Sequence, residues 1–282
     1  MINMKKFLKI ICNIFWGVGI LLLSINIFGL FHSLRSPGIY QQETGFLNGL
    51  TMDVEDAYKI IDKKNENVKD YVKEVTFVVS QTLLHYWEDD KINEFHMRVP
   101  WYENYLYIIM EKRGWFATPK YEFCNPRKAL ERGVGLCTQA SITLSKILES
   151  RGIENKVISF KEHTIVTALV DREKGEWWIL DPDYGVTLEG SLDDVSVNFD
   201  TLYKKEYEKV EYRLVNLIDK EKLLDYLREI YKNKNYASYM DSYKENLCKL
   251  ESVAYFLKWA LPILSLSVGL TMHIVFFRKK RA

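Results

Sequence analysis

The chain has 282 residues, of which 48% are hydrophobic and 27% are charged, and its formal net charge is +1. A chain of this length and composition can bury a substantial core in one or two domains. The near-neutral charge argues against a broad basic surface for DNA or RNA, so we expect no nucleic-acid partner.

Two apolar segments are predicted to be transmembrane helices. Residues 10–31 contain no Asp, Glu, Lys or Arg and are long enough to cross a hydrocarbon core about 30 Å thick. A cleaved signal peptide is the alternative, but the following residues offer no clear cleavage site, which favours an uncleaved anchor. Residues 259–277 are the second candidate. A buried C-terminal helix is the alternative there, and the basic tail at 278–282 favours a membrane span.

The flanking charges predict the orientation of both spans. Only Arg35 follows the first span closely, whereas three lysines precede it: Lys5, Lys6 and Lys9. Positive residues favour the cytoplasmic side, so residues 1–9 and 278–282 are both expected in the cytoplasm, although lysines on the other side of the second span weaken its bias. The prediction is a two-pass protein of the cell membrane, in contact with the lipid bilayer, whose central domain is extracytoplasmic.

The region between the spans predicts an α+β fold. Residues 53–89 have a mostly helical pattern that begins near Asp53, and residues 101–110 form a second short helix. Alternating residues then predict three strands, at 155–160, 163–170 and 176–185, of which the last two form a hairpin. Helical periodicity returns from residue 219, and residues 236–258 are expected to continue into the second span. We therefore assign a domain to residues 32–218 and a helical extension to residues 219–258.

A cysteine stands at the predicted start of a helix in the stretch ERGVGLCTQASITLSKILESRG, residues 131–152. Helical spacing places five residues on one apolar face: Cys137, Ala140, Leu144, Ile147 and Leu148. Unpaired backbone N–H groups and the helix dipole at an N-terminus favour the thiolate, which is the nucleophilic form. Gly133 and Gly135 allow close approach of the backbone ahead of the thiol. A buried structural cysteine is the alternative interpretation.

The hairpin brings a histidine and two acids to one face. In one register His163 lies directly opposite Asp181. In the other register Asp183 is opposite His163 and Asp181 lies diagonally across. Taken singly, His163 can also be a polar residue at a strand end, and Asp181 can start the turn before Pro182.

The four cysteines do not suggest a disulfide framework. Cys12 lies in the first span and Cys248 lies close to the second, which leaves Cys124 and Cys137 in the soluble region. A Cys124–Cys137 bridge is one alternative, and it would block the thiol. A metal site built from Cys124, Cys137, His163 and Asp181 is another, but it lacks the closely spaced ligand pairs of structural zinc. We predict neither a metal nor a cofactor.

Three segments together resemble the transglutaminase-like superfamily of papain-fold thiol enzymes. They are GVGLCTQASITLSKILESRGI, HTIVTALV and WWILDPDYG. The resemblance covers roughly residues 55–190, with a motif core at 115–190. It implies a papain-like core, with a helical lobe and an antiparallel sheet, between the two transmembrane helices. The chain departs from the family pattern at Ile165, where an aromatic residue often follows the histidine. It also lacks the acidic cluster with which animal transglutaminases bind calcium.

The resemblance implies a catalytic triad. Cys137 corresponds to the nucleophile, His163 to the base and Asp181 to the residue that orients the base. The expected chemistry is a thioester acyl-enzyme, formed on an amide of a peptide, a protein or a cell-surface polymer, followed by hydrolysis or by transfer to an amine. A catalytically inactive scaffold for binding or assembly at the membrane is the alternative.

The donors to the developing oxyanion are only partly predicted. The backbone N–H of Cys137 is the first candidate. The second donor stays open among Gln139, Tyr121 and Trp115.

Overall fold

The computed structural model describes residues 4–40, 50–63, 67–86, 88–114, 120–210, 220–233 and 238–277, and in these ranges the chain is a mixture of helix and antiparallel sheet. The helices are α1 (Met4–Gly29), α2 (Val54–Asp62), α3 (Val68–Thr82), α4 (Trp101–Lys112), α5 (Pro126–Arg132), α6 (Cys137–Ser150), α7 (Leu192–Asn198), α8 (Lys204–Glu208), α9 (Lys220–Lys232) and α10 (Asp241–Phe277). The strands are β1 (Leu84–His85), β2 (Val134–Gly135), β3 (Asn155–Ser159), β4 (Thr164–Asp171), β5 (Glu176–Asp181), β6 (Val186–Leu188) and β7 (Ser238–Tyr239).

The described residues divide into two compact units. The first, the terminal unit, contains those within Met1–Leu34, Val99–Thr118 and Leu250–Ala282. The second, the central unit, contains those within Arg35–Arg98 and Pro119–Lys249.

The terminal unit holds two helices, α1 and α10, that are long and apolar enough to cross a membrane. They run antiparallel, because early residues of α1 contact late residues of α10 and late residues contact early ones. The hydrogen bonds that fix this order are Cys12 Sγ to Gly269 O at 3.3 Å, Ser265 Oγ to Phe15 O at 2.7 Å, and Asn26 Nδ2 to Lys258 O at 2.6 Å.

A glycine allows these two helices to pack closely. A Cβ atom placed on Gly19 would lie 2.7 Å from Cγ of Leu266, so a larger residue would force the helices apart.

The predicted boundaries hold with one adjustment. Helix α1 ends at Gly29, so residues 30–31 of the predicted span lie beyond it. Helix α10 begins at Asp241 rather than at residue 236, because Ser238–Tyr239 form β7, and it then continues unbroken through the second predicted span as expected.

The central unit contains a five-stranded antiparallel sheet in the order β6-β5-β4-β3-β7. Its middle strands are the three predicted from the alternating pattern. The helical prediction for residues 53–89 is correct only in part. The chain forms two helices, and Asn67 caps the second by accepting hydrogen bonds from the N–H groups of Lys69 and Asp70. Beyond Thr82 it leaves the helix, because β1 pairs in parallel with β2.

Helix α6 lies at the centre of this unit and packs against α3, α5, β3 and β4. The predicted apolar face is buried, since Ala140, Leu144, Ile147 and Leu148 are each at most 1% exposed. The helix is followed by Gly152, whose φ of +69° is the left-handed conformation expected after a helix end.

A cluster of buried residues packs on the sheet. Its members come from the β3–β6 region and from the described residues between 192 and 232. Its members include Ile165, Tyr207, Leu227 and Tyr231. Tyr226 packs against the cluster from α9.

A disulfide joins Cys124 to Cys248, and Cys12 and Cys137 are free thiols. This single pairing was not predicted, and the alternative Cys124–Cys137 bridge is absent. The two partners are 124 residues apart, and Cys248 lies on α10 before its apolar part, so its position in the sequence concealed its place in the central unit.

Candidate active site

Cys137 is the first residue of α6, as predicted. Leu136 precedes it in an extended conformation and supplies no side-chain cap. The first N–H groups of a helix have no intrahelical acceptor, and together they carry the positive end of the helix dipole. The thiol is free and half-buried, so it is partly accessible to solvent.

The backbone just before Cys137 is held by β1. Tyr86 N–H donates to the carbonyl oxygen of Gly135 at 2.9 Å. A Cβ atom on Gly135 would lie 2.6 Å from Cβ of Gln139, so this glycine is required for the close packing of β2 on the start of α6. The prediction of close approach is confirmed at this position.

His163 contacts Asp181 across the β4–β5 hairpin. Val166 pairs with Leu180, which is the second of the two predicted registers and places Asp181 diagonally across from His163. His163 Nε2 lies 2.8 Å from Asp181 Oδ2, and both side chains are buried. The predicted His–Asp contact is therefore confirmed, and Asp183 is not the partner of His163.

Contacts between α6 and the start of β4 bring the histidine to the cysteine. Ser141 Oγ donates to the carbonyl oxygen of Thr164 at 2.8 Å, and the hydroxyls of Thr138 and Thr164 are 3.4 Å apart. His163 immediately precedes this anchored residue, its ring is hydrogen-bonded to Asp181, and interaction with Cys137 contributes to the raised pKa of the ring. The three predicted site residues therefore form one connected group.

The charges around His163 favour its protonated form. Burial opposes a charge on the ring, but the Asp181 carboxylate and the hydrogen bonds to Asp181 and Cys137 raise the pKa of His163 well above its ordinary value of 6.5. An imidazolium at neutral pH is the counter-ion that a neighbouring thiolate needs.

Two buried tyrosines extend the group beyond Asp181. Tyr207 donates its hydroxyl hydrogen to Asp181 Oδ2 at 2.8 Å, and the hydroxyl oxygens of Tyr207 and Tyr231 are also 2.8 Å apart. Because the single proton of Tyr207 is committed to Asp181, Tyr231 must donate to Tyr207. On the other carboxylate oxygen, the N–H of Asp183 donates at 3.2 Å.

Neither tyrosine was predicted to belong to the site. They lie in the segment after the sheet, where a tyrosine at helical spacing is indistinguishable from an ordinary core residue. Burial, followed by the negative charge of Asp181, raises the pKa of Tyr207 and Tyr231 well above 10.0, so both remain hydrogen-bond donors over the physiological range.

A second His–Asp pair lies beside the first. His85 Nδ1 is 2.7 and 2.8 Å from the two carboxylate oxygens of Asp183. Burial would raise the pKa of Asp183, but the charge and hydrogen bond of His85, and the charge of His163, hold it below its usual value. A lone histidine in a two-residue strand carries no sequence signal, so the partner of Asp183 was not predicted.

Gln139 is engaged in packing rather than directed at the thiol. Its Oε1 accepts from the N–H of Phe123 and from Arg132, and its Nε2 donates to the carbonyl of Phe123 at 2.8 Å and to Thr143 at 3.2 Å. Both amide hydrogens are therefore used, which removes Gln139 as an oxyanion donor. Tyr121 is buried, and Trp115 lies outside the described residues.

The metal alternative loses one of its four ligands, because Cys124 is bonded to Cys248. Among the residues that the structure describes, no group of three or more His, Cys, Asp and Glu side chains is arranged to hold a metal ion.

No protein-family profile matches the chain, and no curated protein or solved structure is significantly similar to it. The functional interpretation therefore depends on the residues of the site and on their geometry.

Proposed function

We propose that this protein is a membrane-anchored, cysteine-dependent amide hydrolase or acyltransferase of the transglutaminase-like type, with a papain-like catalytic core. One observation carries the proposal. The buried ring of His163 is hydrogen-bonded to Asp181, and interaction with Cys137, a free thiol at a helix N-terminus, helps to raise the pKa of the ring. Packing alone requires no such connection of three polar groups.

The first step is attack on the carbonyl carbon of an amide. His163 takes the thiol proton of Cys137, and the sulfur pair forms a C–S bond while the C=O π pair moves to oxygen. The resulting oxyanion lies near the N–H of Cys137. Collapse re-forms C=O and breaks the C–N bond, and the amine leaves with the proton held by His163. Asp181 keeps the ring oriented and stabilises its charged form.

The second step releases the acyl group from the thioester. Water or an amine loses a proton to His163 as it adds to the carbonyl carbon, and the C–S bond then breaks. The sulfur leaves as thiolate and recovers the proton from His163. Water yields a carboxylic acid, whereas an amine yields a new amide and a cross-link. Peptides, proteins and cell-surface polymers with accessible amides are the proposed substrate class.

Thiol labelling tests the proposal in the full-length protein in detergent. At neutral pH, iodoacetamide should alkylate Cys137 far faster than Cys12, the other free thiol, which is buried. His163→Ala should slow labelling of Cys137 by about 10²-fold, the lower end of the usual contribution of a positioned base. His32→Gln is the matched control, because His32 is exposed and its ring hydrogen-bonds locally, to the carbonyl of Phe28 at 2.8 Å.

Turnover is tested with p-nitrophenyl acetate. One equivalent of p-nitrophenol should be released in a burst, with an acetyl group on Cys137, and Cys137→Ser should abolish the burst. Two results together would contradict the enzyme proposal and favour the membrane scaffold. One is slow labelling of Cys137 at the same rate in wild type and His163→Ala, and the other is the absence of acetyl transfer to Cys137.

For the membrane placement we propose a two-pass protein of the cell membrane, with the central unit outside the cytoplasm. Three lysines in residues 5–9 precede the apolar part of α1, and positive residues favour the cytoplasmic side. The Cys124–Cys248 disulfide supports the same side for the central unit, since structural disulfides persist in oxidising compartments. Antiparallel α1 and α10 are compatible with both termini on one side. The basic residues 278–282 lie outside the described part of the chain.

Protease added to spheroplasts tests this placement. It should degrade the central unit while the membrane is intact, and a cytoplasmic marker protein should survive. Protection of the central unit until the membrane is permeabilised would reverse the assigned sides.

A further inference from the structure

A second imidazole–carboxylate pair, His85 and Asp183, adjoins the candidate triad. His85 Nδ1 lies 2.7 and 2.8 Å from the two carboxylate oxygens of Asp183. The N–H of Asp183 in turn donates to Asp181 Oδ1 at 3.2 Å. The second pair is therefore joined to the acid of the first, although the attack of the thiol on an amide does not use it.

The backbone of His85 is fixed beside the residues that lead to the thiol. His85 pairs with Gly135 in the parallel ladder of β1 and β2, and Gly135 is two residues before Cys137. The next residue, Tyr86, donates its N–H to the carbonyl oxygen of Gly135 at 2.9 Å. Since paired strands lie about 4.8 Å apart and two residues span at most about 7 Å, the Cα atoms of His85 and Cys137 are within about 12 Å of each other.

The side chain of His85 lies on the face of β1 that is turned towards Asp183. Side chains alternate along a strand, and the two neighbours, Leu84 and Tyr86, are buried in an apolar cluster. The imidazole points the opposite way. Its side chain is 12% exposed, whereas that of His163 is 3% exposed. A molecule that arrives from solvent therefore reaches the ring of His85 more readily than the ring of His163.

The contact with Asp183 fixes the position of the hydrogen on the ring. An ionised carboxylate only accepts hydrogen bonds, so Nδ1 of His85 carries the hydrogen that faces it. In the neutral imidazole the other nitrogen, Nε2, then has a lone pair that can accept a proton. The negative charge of Asp183 stabilises the imidazolium ion that forms when Nε2 is protonated. His85 is thus arranged as a base that is oriented by an acid.

We propose that His85 removes a proton from the ammonium form of the acyl acceptor and so makes the amine nucleophilic. The inference rests on the proposed function and makes His85 a catalytic residue. A primary alkyl amine has a pKa of about 10.4, so at neutral pH it is almost entirely an ammonium ion without a lone pair. When His85 Nε2 binds the departing proton, the electron pair of the broken N–H bond becomes the lone pair that attacks the thioester.

Two histidines complete the proton balance. His85 takes the first proton, from the ammonium nitrogen. His163 takes the second as the neutral amine adds to the carbonyl carbon of the Cys137 thioester, and it returns that proton to the sulfur when the C–S bond breaks. The His85 imidazolium then loses its proton to solvent, which its partly exposed ring permits. Water needs no such first deprotonation, so hydrolysis depends on His163 alone.

Competition between acceptors tests this role in the full-length protein in detergent. The protein turns over p-nitrophenyl acetate at neutral pH with n-butylamine, which is an ammonium ion at this pH, or with methoxyamine, a weaker base that is largely neutral. Mass spectrometry gives the ratio of amide to acetate formed. His85→Gln should lower this ratio for butylamine on the order of 10²-fold, the lower end of the usual contribution of a positioned base. The ratio for methoxyamine should equal that of wild type.

The burst of p-nitrophenol reports on Cys137 and His163 in the same samples. It should be unchanged in His85→Gln, because acetylation of the thiol involves no acceptor amine. His32→Gln is the same substitution at an exposed histidine of the terminal unit, and it should change neither the burst nor the two ratios. Cys137→Ser gives the uncatalysed reaction of each amine with the ester, which is subtracted.

Each other outcome overturns the inference in a recognisable way. An unchanged ratio for butylamine would show that His85 does not receive the proton of the acceptor. Equal falls for both amines would assign His85 to packing at the acceptor side, and a lost burst would assign it to support of the thiol. If wild type forms acetate but no amide, the inference fails while the enzyme proposal stands as a hydrolase. If wild type forms no acetyl-enzyme, the proposed function itself fails and the inference falls with it.

Discussion

Replacing Asp181 by Asn tests the central contact of the site. The substitution keeps the size of the side chain and removes the negative charge that faces the ring of His163. In the native protein the Asp181 carboxylate accepts three hydrogen bonds, from His163 Nε2, the Tyr207 hydroxyl and the N–H of Asp183. An asparagine has one oxygen and a donating NH₂ group, so at least one of these buried donors faces another donor.

The size of the effect follows from these contacts. A hydrogen bond to a charged group contributes about 1.5–3 kcal/mol, which corresponds to about a 10- to 150-fold change in the population of the thiolate–imidazolium pair. The unpaired buried donor adds a cost of roughly 1–3 kcal/mol to the folded state. Asp181→Asn should therefore slow alkylation of Cys137 and lower the free energy of unfolding together.

The assay is the pseudo-first-order rate of iodoacetamide labelling of Cys137 between pH 6 and pH 10. The deficit of Asp181→Asn should be largest near neutral pH. This difference in rate should shrink above about pH 8.5, where a free thiol ionises without help from a neighbouring group. Asp183→Asn is the matched control, because Asp183 bonds to His85 instead. Equal slowing by the two variants, or a deficit that does not depend on pH, would refute the assignment of Asp181 as the orienting acid.

Three further predictions concern stability. Burial opposes the charged form of His163, but its acidic and thiol partners raise its folded-state pKa above 6.5. The stabilisation of the folded state by protonated His163 is therefore complete below about pH 6.5 and is lost as the pH rises through this raised pKa. His163→Gln should accordingly show a smaller fall in unfolding temperature between pH 7 and pH 10 than wild type. Replacing both Cys124 and Cys248 by Ser should lower the free energy of unfolding by up to about 5 kcal/mol, as chemical denaturation will measure, because a cross-link over 124 residues restricts the unfolded chain. Gly135→Ala, whose Cβ would lie 2.6 Å from Gln139, should lower the free energy of unfolding by roughly 1–3 kcal/mol in the same experiment. An unchanged free energy of unfolding would show that the start of α6 can shift to accommodate the added methyl group.

The sequence predicted those parts of the site that depend on local periodicity. Alternation along β4 and β5 restricted the hairpin to registers that keep His163 and Asp181 on one face, and a one-residue shift would have exposed the apolar residues. Helical spacing likewise placed Cys137 at the first turn of α6. These contacts follow from periods of 2 and 3.6, which a single sequence displays directly.

The remaining contacts depend on long-range packing, which has no local signature. His85 reaches Asp183 because a two-residue parallel ladder holds β1 beside β2, and such a short ladder leaves no pattern. Tyr207 and Tyr231 come from segments that follow the sheet, where aromatic residues at helical spacing look like ordinary core residues. The expected separation of Cys248 from the soluble cysteines was wrong, because α10 carries both a residue of the central unit and the apolar span.

The Cys124–Cys248 disulfide has a consequence for the biogenesis of the protein. Cys137, His163, Asp181, Tyr207 and Tyr226 all lie inside the loop that this bond closes. During synthesis, Cys124 and Cys137 emerge well before Cys248, so the candidate nucleophile is the cysteine nearest in sequence that an oxidant can pair with Cys124. A nascent chain oxidised at that stage must exchange its thiols once Cys248 emerges, by attack of the Cys248 thiolate on the Cys124 sulfur. The same exchange releases the Cys137 thiol, so formation of the Cys124–Cys248 bond would also free the candidate nucleophile.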